Sequence, residues 1–394
     1  MEFQKLSRFQ SEQRIECLTF CPQGSRLLIG DAVGDLLCHD VTNGARLTTL
    51  RGHEHPVVTM GCCQNDLYSF DQLQNLITWD LSTFQIKQTY SLTMQGGMPL
   101  NTNPQQQTTY KKGDLVEVSW VQSSGDGNHA KLTKQVPLWT VAIARFTHNG
   151  RYLIFGVNAH PQAFYTSRGV SALYMIDVVT GSLVRTFDWE AFFSCWDVGS
   201  IDAIAISRND TQLAVSGLDI IYSAEGDWSN SRELIHQWCL EDGAEVCGYE
   251  YDPYLYRPSD HERIDLAFAP DMRQILCSRQ GWLSLWHVPS PESRRLLVAD
   301  EECNSQELPL HLPGVFDWSP GSNVVAFGSP EGVLRFVDIA TVEILFEQQV
   351  AQAPIQQVLF SQKGELLAIC FEDSTVEIWS IGSSVEHRFN MTRG

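Results

Sequence analysis

The chain has little positive charge and lacks the short motifs of common nucleotide-binding and hydrolytic enzymes. Its 394 residues include 27 Lys and Arg against 47 Asp and Glu, a formal net charge of -20. This charge repels phosphate backbones and anionic lipid headgroups, so nucleic acids and membrane surfaces are disfavoured as partners. There is no Gly-x-x-x-x-Gly-Lys loop, no Gly-x-Gly-x-x-Gly turn between a strand and a helix, and no Gly-x-Ser-x-Gly elbow. The sequence therefore indicates neither a nucleotide site nor a serine hydrolase.

Long apolar runs and paired cysteines are also missing. No stretch approaches the roughly 18 apolar residues that a membrane-spanning helix needs, and residues 1–5 do not begin a secretory signal. The 11 cysteines include no Cys-x-x-Cys pair and lie mostly in apolar stretches. Buried thiols of this kind are typical of a reducing compartment, so we expect a cytoplasmic protein.

The histidines and cysteines have spacings that are poor for binding a metal. Cys62 and Cys63 are adjacent, so their side chains point to opposite sides of a strand. His53 and His55 could share one side of an extended segment, but no third ligand lies near them in the sequence. We predict no bound metal and no cofactor.

Residues 52–80 contain the most complete copy of a repeated pattern. They begin with Gly52 and His53, continue through apolar strands separated by a turn at residues 64–66, and end with Trp79 and Asp80. A Gly-His pair, three short strands and a Trp-Asp pair resemble the repeat of the WD-repeat β-propeller family. The resemblance implies an all-β fold of four-stranded antiparallel blades around a central channel.

The same order of apolar strands and turns occurs seven times. Each unit has turn residues such as Asn, Asp, Gly and Pro between its strands. The first strands begin near Ile15, Val57, Val141, Ile201, Ile264, Val315 and Ile355. The second strands often end on glycine, at Gly30, Gly156, Gly217 and Gly328. We therefore predict a single seven-bladed β-propeller over residues 1–394.

One interval is about twice the basic period of about 40 residues. Val57 and Val141 are 84 residues apart (141 minus 57), which predicts an insertion at about residues 93–138, between blades 2 and 3. Residues 115–121 and 130–136 could form one hairpin, whereas an eighth blade would need four strands. The ring can be closed by an N-terminal strand at residues 3–9, which we favour, or by a C-terminal strand at residues 385–389.

The predicted long connections are unevenly distributed. In propellers that the chain resembles, the connections from fourth to first strand and from second to third strand open on the same face. Every predicted long connection is of these two types, at residues 93–138, 157–170, 188–200, 218–232, 250–263 and 299–314. Because loops on a rigid scaffold commonly carry binding sites, we expect this face, called here the elaborated face, to bind a partner.

The long connections mix large aromatic residues with carboxylates and Arg, a composition typical of protein-interaction hot spots. The candidate partner-binding residues are Phe164, Tyr165, Trp189, Phe192, Phe193, Trp196, Tyr222, Trp228, Tyr251, Tyr254, Tyr256 and Arg257. The alternative is that these aromatic residues pack the long connections onto the propeller. The acidic segment 299–307 would join the same face, where it could attract a basic peptide or only keep the surface solvated.

Four residues of the second repeat could form the buried hydrogen-bond network that the resemblance implies within a blade: His53, Ser69, Asp71 and Trp79. The aspartate departs from the family pattern, because Leu73 stands six residues before the tryptophan. Asp71 would therefore need a longer turn to take its place. The resemblance implies a structural role for this network.

These features predict a non-enzymatic scaffold or adaptor that binds a protein or peptide through the elaborated face, as a subunit of a larger assembly. The main alternative is a propeller enzyme with its site at the mouth of the central channel. It would need acidic or histidine side chains from several blades to converge there. A nucleic-acid-binding subunit is a third possibility, and it would need a basic patch that the composition argues against.

Overall fold

The apolar runs of the sequence form short antiparallel strands, which suit their β-branched and aromatic residues. The computed structural model arranges these strands in seven four-stranded sheets and one two-stranded sheet, an all-β seven-bladed propeller. Among the described residues there is no helix that is long and apolar enough to cross a membrane. The structure describes residues 3–92, 115–123, 129–137, 139–159, 172–187, 198–222, 228–251, 264–279, 282–288, 305–311, 314–320 and 324–382.

The strands follow the chain blade by blade, after a first strand, β1 (Phe3–Gln10), that belongs to blade 7. Blade 1 contains β2 (Ile15–Phe20), β3 (Arg26–Asp31), β4 (Asp35–Asp40) and β5 (Arg46–Arg51). Blade 2 contains β6 (Val57–Cys63), β7 (Asp66–Asp71), β8 (Asn75–Asp80) and β9 (Ile86–Ser91). The insertion forms β10 (Leu115–Ser123) and β11 (His129–Pro137). Blade 3 contains β12 (Trp139–Phe146), β13 (Tyr152–Ala159), β14 (Ala172–Asp177) and β15 (Leu183–Phe187).

The remaining blades have the same order. Blade 4 contains β16 (Val198–Ile206), β17 (Gln212–Tyr222), β18 (Trp228–Cys239) and β19 (Glu245–Tyr251). Blade 5 contains β20 (Ile264–Phe268), β21 (Gln274–Arg279), β22 (Trp282–His287) and β23 (Ser305–His311). Blade 6 contains β24 (Val315–Trp318), β25 (Val324–Gly328), β26 (Val333–Asp338) and β27 (Glu343–Gln349). Blade 7 contains β28 (Ile355–Phe360), β29 (Leu366–Phe371), β30 (Thr375–Ile381) and β1.

The first strands of the blades form a ring around the central channel. Each of these inner strands contacts the next one from β2 through β6 and onward to β28. The ring is completed between blades 7 and 1, where Gln357 Nε2 donates a hydrogen bond of 2.7 Å to the carbonyl oxygen of Glu16. Side chains from both blades fill that seam in one hydrophobic cluster.

The N-terminal strand closes the ring, as predicted. β1 pairs with β30 from Phe3 opposite Ile381 to Gln10 opposite Thr375, and β29 pairs with the other edge of β30. The alternative strand at residues 385–389 lies outside the described residues. Closure in this way leaves neither edge of β30 open to pairing with another chain.

A buried carboxylate and a stacked ring fix β1 in place. Glu377, only 1% exposed, accepts a hydrogen bond of 2.6 Å from Lys5 Nζ. It also accepts one of 3.1 Å from Trp379 Nε1. Phe3 stacks on the same indole with ring centroids 4.5 Å apart. The closing strand is therefore held by side chains as well as by its backbone.

Two second strands continue beyond the glycine at which they were predicted to end. β13 passes Gly156 and ends at Ala159, and β17 passes Gly217 and ends at Tyr222. Residues 218–222 of β17 pair with residues 228–233 of β18, in a stretch predicted to be a connection. The reason is the run Leu-Asp-Ile-Ile-Tyr after Gly217, which has a high strand propensity and keeps its backbone paired.

The prediction that all long connections share one face is wrong for blade 5. Residues 299–314 were expected to join a fourth strand to the next first strand. Instead β23 pairs with β22, with Ser305 opposite Trp286 and His311 opposite Trp282. Two apolar stretches follow β22 in the sequence, and its partner is the later one. The long connection, residues 288–304, therefore joins third and fourth strands, and it starts and ends at the face opposite the elaborated face.

Aspartates at the ends of third strands fix the turns that follow. Asp40 accepts a hydrogen bond of 2.8 Å from the backbone N–H of Thr42, and Asp80 accepts one of 2.8 Å from that of Ser82. Asp338 bonds to the N–H of Ala340 in the same way. The hydroxyl and backbone groups of Thr42 and Ser82 hold the pKa values of Asp40 and Asp80 below the usual range. The Asp of the repeat is thus explained as a turn cap.

Glycines in second strands make room for the inner strand of the next blade. A β-carbon added to Gly30 would lie 2.9 Å from the β-carbon of Val57. One added to Gly328 would lie 2.3 Å from Cγ2 of Ile355. The glycine therefore allows a β-branched residue at the start of the next blade to pack directly against the strand backbone.

Gly328→Ala should lower the free energy of unfolding by about 2 kcal/mol, because the added methyl group overpacks the seam between blades 6 and 7. Urea unfolding measures this change. Ile355→Ala alone leaves a cavity, but the added methyl of the double variant partly fills it. The double variant should therefore lose less stability than the sum of the two single losses, and strict additivity would show that this contact does not set the packing.

Candidate functional site

Three of the predicted partner-binding residues lie at strand ends of blade 4, with Tyr251 five residues along β18 from the pair formed by Tyr222 and Trp228. Tyr222 ends β17 and is the register partner of Trp228, which begins β18. Tyr251 ends the neighbouring strand β19, opposite Glu233. Their backbones lie at the elaborated face. The other candidates are outside the described residues: Phe164, Tyr165, Trp189, Phe192, Phe193, Trp196, Tyr254, Tyr256 and Arg257.

The predicted hairpin insertion is present as a two-stranded ribbon. β10 and β11 pair with each other in a continuous register, and neither pairs with a blade. β11 ends at Pro137 and the inner strand of blade 3 begins at Trp139, so the ribbon is attached beside the mouth of the channel. Each strand has 9 residues, which gives the ribbon a length of roughly 30 Å.

The short connections on the elaborated face carry mostly negative charge. Their exposed carboxylates are those of Glu12, Glu54, Glu331, Glu372 and Asp373. Arg14 is the one Lys or Arg in the described short connections of this face, and its Nη2 lies 2.6 Å from Oε1 of Glu16. The β10–β11 ribbon adds Lys131 and Lys134 against Glu117. The surface around the channel mouth is therefore acidic. In contrast, Glu307 of the predicted acidic segment 299–307 lies within β23 opposite Ser284, and residues 299–304 are outside the described residues.

The inner strand of blade 6 carries a buried carboxylate, Asp317, on which the charge of Arg145 in blade 3 acts. Asp317 in β24 accepts hydrogen bonds of 2.7 Å from the N–H of Phe360 in blade 7 and of 2.9 Å from the N–H of Trp318. Desolvation raises the pKa of Asp317 to about 6, although these bonds and the charge of Arg145 oppose the rise. Arg145 in blade 3 also acts on the thiol of Cys17 in blade 1.

The roles of Asp317 and Arg145 were missed in the sequence. A single charged residue inside an otherwise apolar inner strand is the feature that could have revealed them, as with Arg145 after Ala144 and Asp317 after Phe316. Both oxygens of Asp317 accept backbone N–H groups, so the carboxylate links blades 6 and 7. The described residues contain no group of three or more His, Cys, Asp and Glu placed to hold a metal ion.

The predicted network of blade 2 is formed. His53 Nδ1 lies 3.0 Å from Oδ2 of Asp71, and its Nε2 lies 2.7 Å from Oγ of Ser69. Trp79 Nε1 donates a hydrogen bond of 2.8 Å to the same Ser69 oxygen. These contacts assign the ring proton to Nδ1, so that Ser69 donates to Nε2.

Asp71 reaches the network without a longer turn. It is the last residue of β7, and its Oδ1 accepts hydrogen bonds from the backbone N–H groups of Leu73 and Asn75. Burial raises the pKa of Asp71, but the hydrogen bonds from His53 and Asn75 outweigh it and hold the pKa below the usual range. Asp71 therefore fills the role of the family aspartate from a position two residues earlier in the sequence.

The Ser69, His53 and Asp71 contacts follow the order of a hydrolase triad, yet they are closed to substrate. The side chains of His53 and Asp71 are 0% exposed, as is Ser69. The Ser69 oxygen is already bonded to the indole, so no attacking position is free. This arrangement holds the blade together.

The buried thiols should be inert in the native protein. Burial raises the pKa values of Cys17 and Cys370 to about 12 and that of Cys38 to about 11. Because the thiolate is the reactive form, iodoacetamide at pH 8 should label these three residues only after denaturation. Mass spectrometry of peptides from native and denatured samples measures the labelling, and rapid native labelling of Cys370 would contradict the packing described here.

Comparison with known proteins gives a structural match alone. No family model matches the chain, and no curated protein matches its sequence. The chain is similar to the crystal structure of the β-propeller domain of Cps50 (Swd1) from Myceliophteria thermophila, with a TM-score of 0.61 and 13% sequence identity. The match covers 97% of this chain and 100% of that domain. The two chains share a fold. At 13% identity the similarity establishes the propeller fold alone, so the function has to be argued from the site.

Proposed function

We propose that this chain is a non-enzymatic scaffold or adaptor of the WD-repeat type, which binds a protein or peptide through its elaborated face within a larger assembly in the cytoplasm. The carrying observation is the placement of the extended strands of blade 4 and of the β10–β11 ribbon at one face of a closed ring. A rigid ring can present such elements with little loss of conformational entropy on binding, which favours affinity.

The charge of this face supports a basic partner. The exposed carboxylates of the short connections outnumber the cationic residues of this face, which are Arg14 and, in the ribbon, Lys131 and Lys134. Complementary charge raises association rates and disfavours other acidic proteins as partners. Binding should therefore weaken as the salt concentration rises, since exposed charges are screened over about 10 Å at 0.1 M salt.

Affinity capture from a native cell extract tests the proposal. The wild-type chain is compared with a folded variant that carries Trp189→Ala, Trp196→Ala, Trp228→Ala and Tyr254→Ala. A control variant carries Leu47→Ala and Ile344→Ala, two exposed apolar residues on outer strands. We expect a partner that the wild type and the control capture and the four-residue variant does not. Equal capture by all three would place binding elsewhere and overturn the proposal.

A further inference from the structure

A row of buried polar side chains without partners lies in the seam between blades 4 and 5. Gln237 and Ser216 are both 0% exposed. Neither the amide nitrogen and oxygen of Gln237 nor the hydroxyl of Ser216 has a hydrogen-bond partner, and the same holds for the buried amide oxygen of Gln212. These four atoms are the largest group of such atoms in the described part of the chain.

Strand register places the three residues on one face. Leu213 and Val215 pack toward blade 3 and Ala214 packs toward blade 5, so Gln212 and Ser216 share the face of Ala214. On β18, Ile235 packs toward blade 5, and Gln237 shares its face. Gln237 is directly opposite Ala214, which makes Gln212 and Ser216 its two diagonal neighbours. The polar groups thus form a continuous strip.

Small residues leave room beside this strip. The cluster between blades 4 and 5 contains Ala203, Ala205 and Ala214. At the position of Ala214, by register with the inner strand, blades 1, 2 and 3 carry Leu28, Tyr68 and Ile154. Blades 6 and 7 also carry alanine there, but it lies opposite Phe336 and Ile378, whereas Ala214 lies opposite a glutamine. An amide buried in a dry seam would lose its hydrogen bonds to water and gain none from the protein, which costs about 1–3 kcal/mol for each unsatisfied group. Buried water commonly satisfies such groups where several polar atoms converge.

We propose that the seam between blades 4 and 5 encloses ordered water bound to the amide of Gln237, the hydroxyl of Ser216 and the amide oxygen of Gln212. Gln212 is half-buried at the end of β17 next to the plain face, so water enters the strip from that side. The seam is a polar, hydrated joint, whereas the seams between blades 1 and 2 and between blades 2 and 3 are filled by larger apolar side chains.

A crystal structure at a resolution that defines ordered water tests this directly. Solvent density is expected about 2.7–3.2 Å from the Gln237 amide and from Ser216 Oγ. It should disappear next to residue 237 in the Gln237→Met variant. A seam without density, or a direct hydrogen bond from Ser216 to Gln237 that occupies the space, overturns the proposal.

The thermal midpoint gives an independent measurement. In a hydrated seam Gln237→Met removes satisfied hydrogen bonds, so the midpoint should stay the same or fall. In a dry seam the same change removes unpaired polar atoms, and the midpoint should rise by about 3 °C or more. Met175→Gln is the matched control, because Met175 is buried at the equivalent position of blade 3, opposite Ile154. It should lower the midpoint, since no polar strip receives its amide.

Discussion

His53→Ala should lower the free energy of unfolding by about 3 kcal/mol. The change leaves a buried carboxylate oxygen of Asp71 and the hydroxyl of Ser69 without their partner, and both groups are closed to solvent. An unsatisfied buried neutral group costs about 1–3 kcal/mol, and a buried carboxylate that loses a hydrogen bond costs more. Urea unfolding of the variant and the wild type measures the difference.

His55→Ala is the matched control, because His55 stands two residues further on, is only partly buried and has an unpaired Nδ1. Its cost should stay below about 0.5 kcal/mol. The folded-state pKa of Asp71 is lowered, so its stabilising effect is present above the unfolded pKa of about 3.9 and is lost as the pH falls through the folded value. The deficit of Asp71→Asn should therefore shrink below about pH 4. Equal costs for His53→Ala and His55→Ala would refute the network's role.

Deleting residues 1–10 should remove most of the stability of the ring, about 5 kcal/mol or more. The deletion takes away β1 and leaves Glu377 buried without Lys5 beside Trp379. It also uncovers one edge of β30, which can then pair with another chain. We expect a large fall of the thermal midpoint together with concentration-dependent aggregation, measured by calorimetry and light scattering.

Deleting residues 383–394 is the control for closure. β30 pairs with β29 on one edge and with β1 on the other, so it has no edge left for residues 385–389. The C-terminal deletion should leave the thermal midpoint unchanged within about 2 °C. If it were the more damaging of the two deletions, the C-terminal strand would close the ring and the pairing of β1 would be wrong.

Much of the fold could be predicted because each repeat contains turn residues and apolar runs that are recognisable from neighbouring residues in the sequence. Turn residues and short apolar runs predicted the position of every inner strand. Val57 begins β6 as predicted, whereas β12 and β16 begin two and three residues before Val141 and Ile201. The Gly-His and Trp-Asp pairs located the buried network. These features depend on neighbours in the sequence, which is why a single sequence suffices for them.

The misses concern pairing between distant residues. Two apolar stretches follow β22, and the neighbouring residues do not determine which of them pairs with it. Because β22 pairs with the later stretch, the long connection of blade 5 begins and ends at the plain face. Glu377 and Lys5 are far apart in the sequence, and only ring closure brings them within 2.6 Å. The same holds for Asp317 and the backbone N–H of Phe360, which form a hydrogen bond of 2.7 Å. Of the candidate site, the structure places Tyr222, Trp228 and Tyr251 at one edge, while the other candidates remain predictions.

Hydrogen exchange of the chain alone and in complex with its captured partner tests the central claim most directly. Binding through the elaborated face predicts slower exchange in β10–β11, at the ends of β17 and β18 next to residues 223–227, and in residues 11–14 and 52–56. The turns of the plain face, such as residues 41–45 and 361–365, should exchange as before. Protection confined to those turns, with the elaborated face unchanged, would contradict the account.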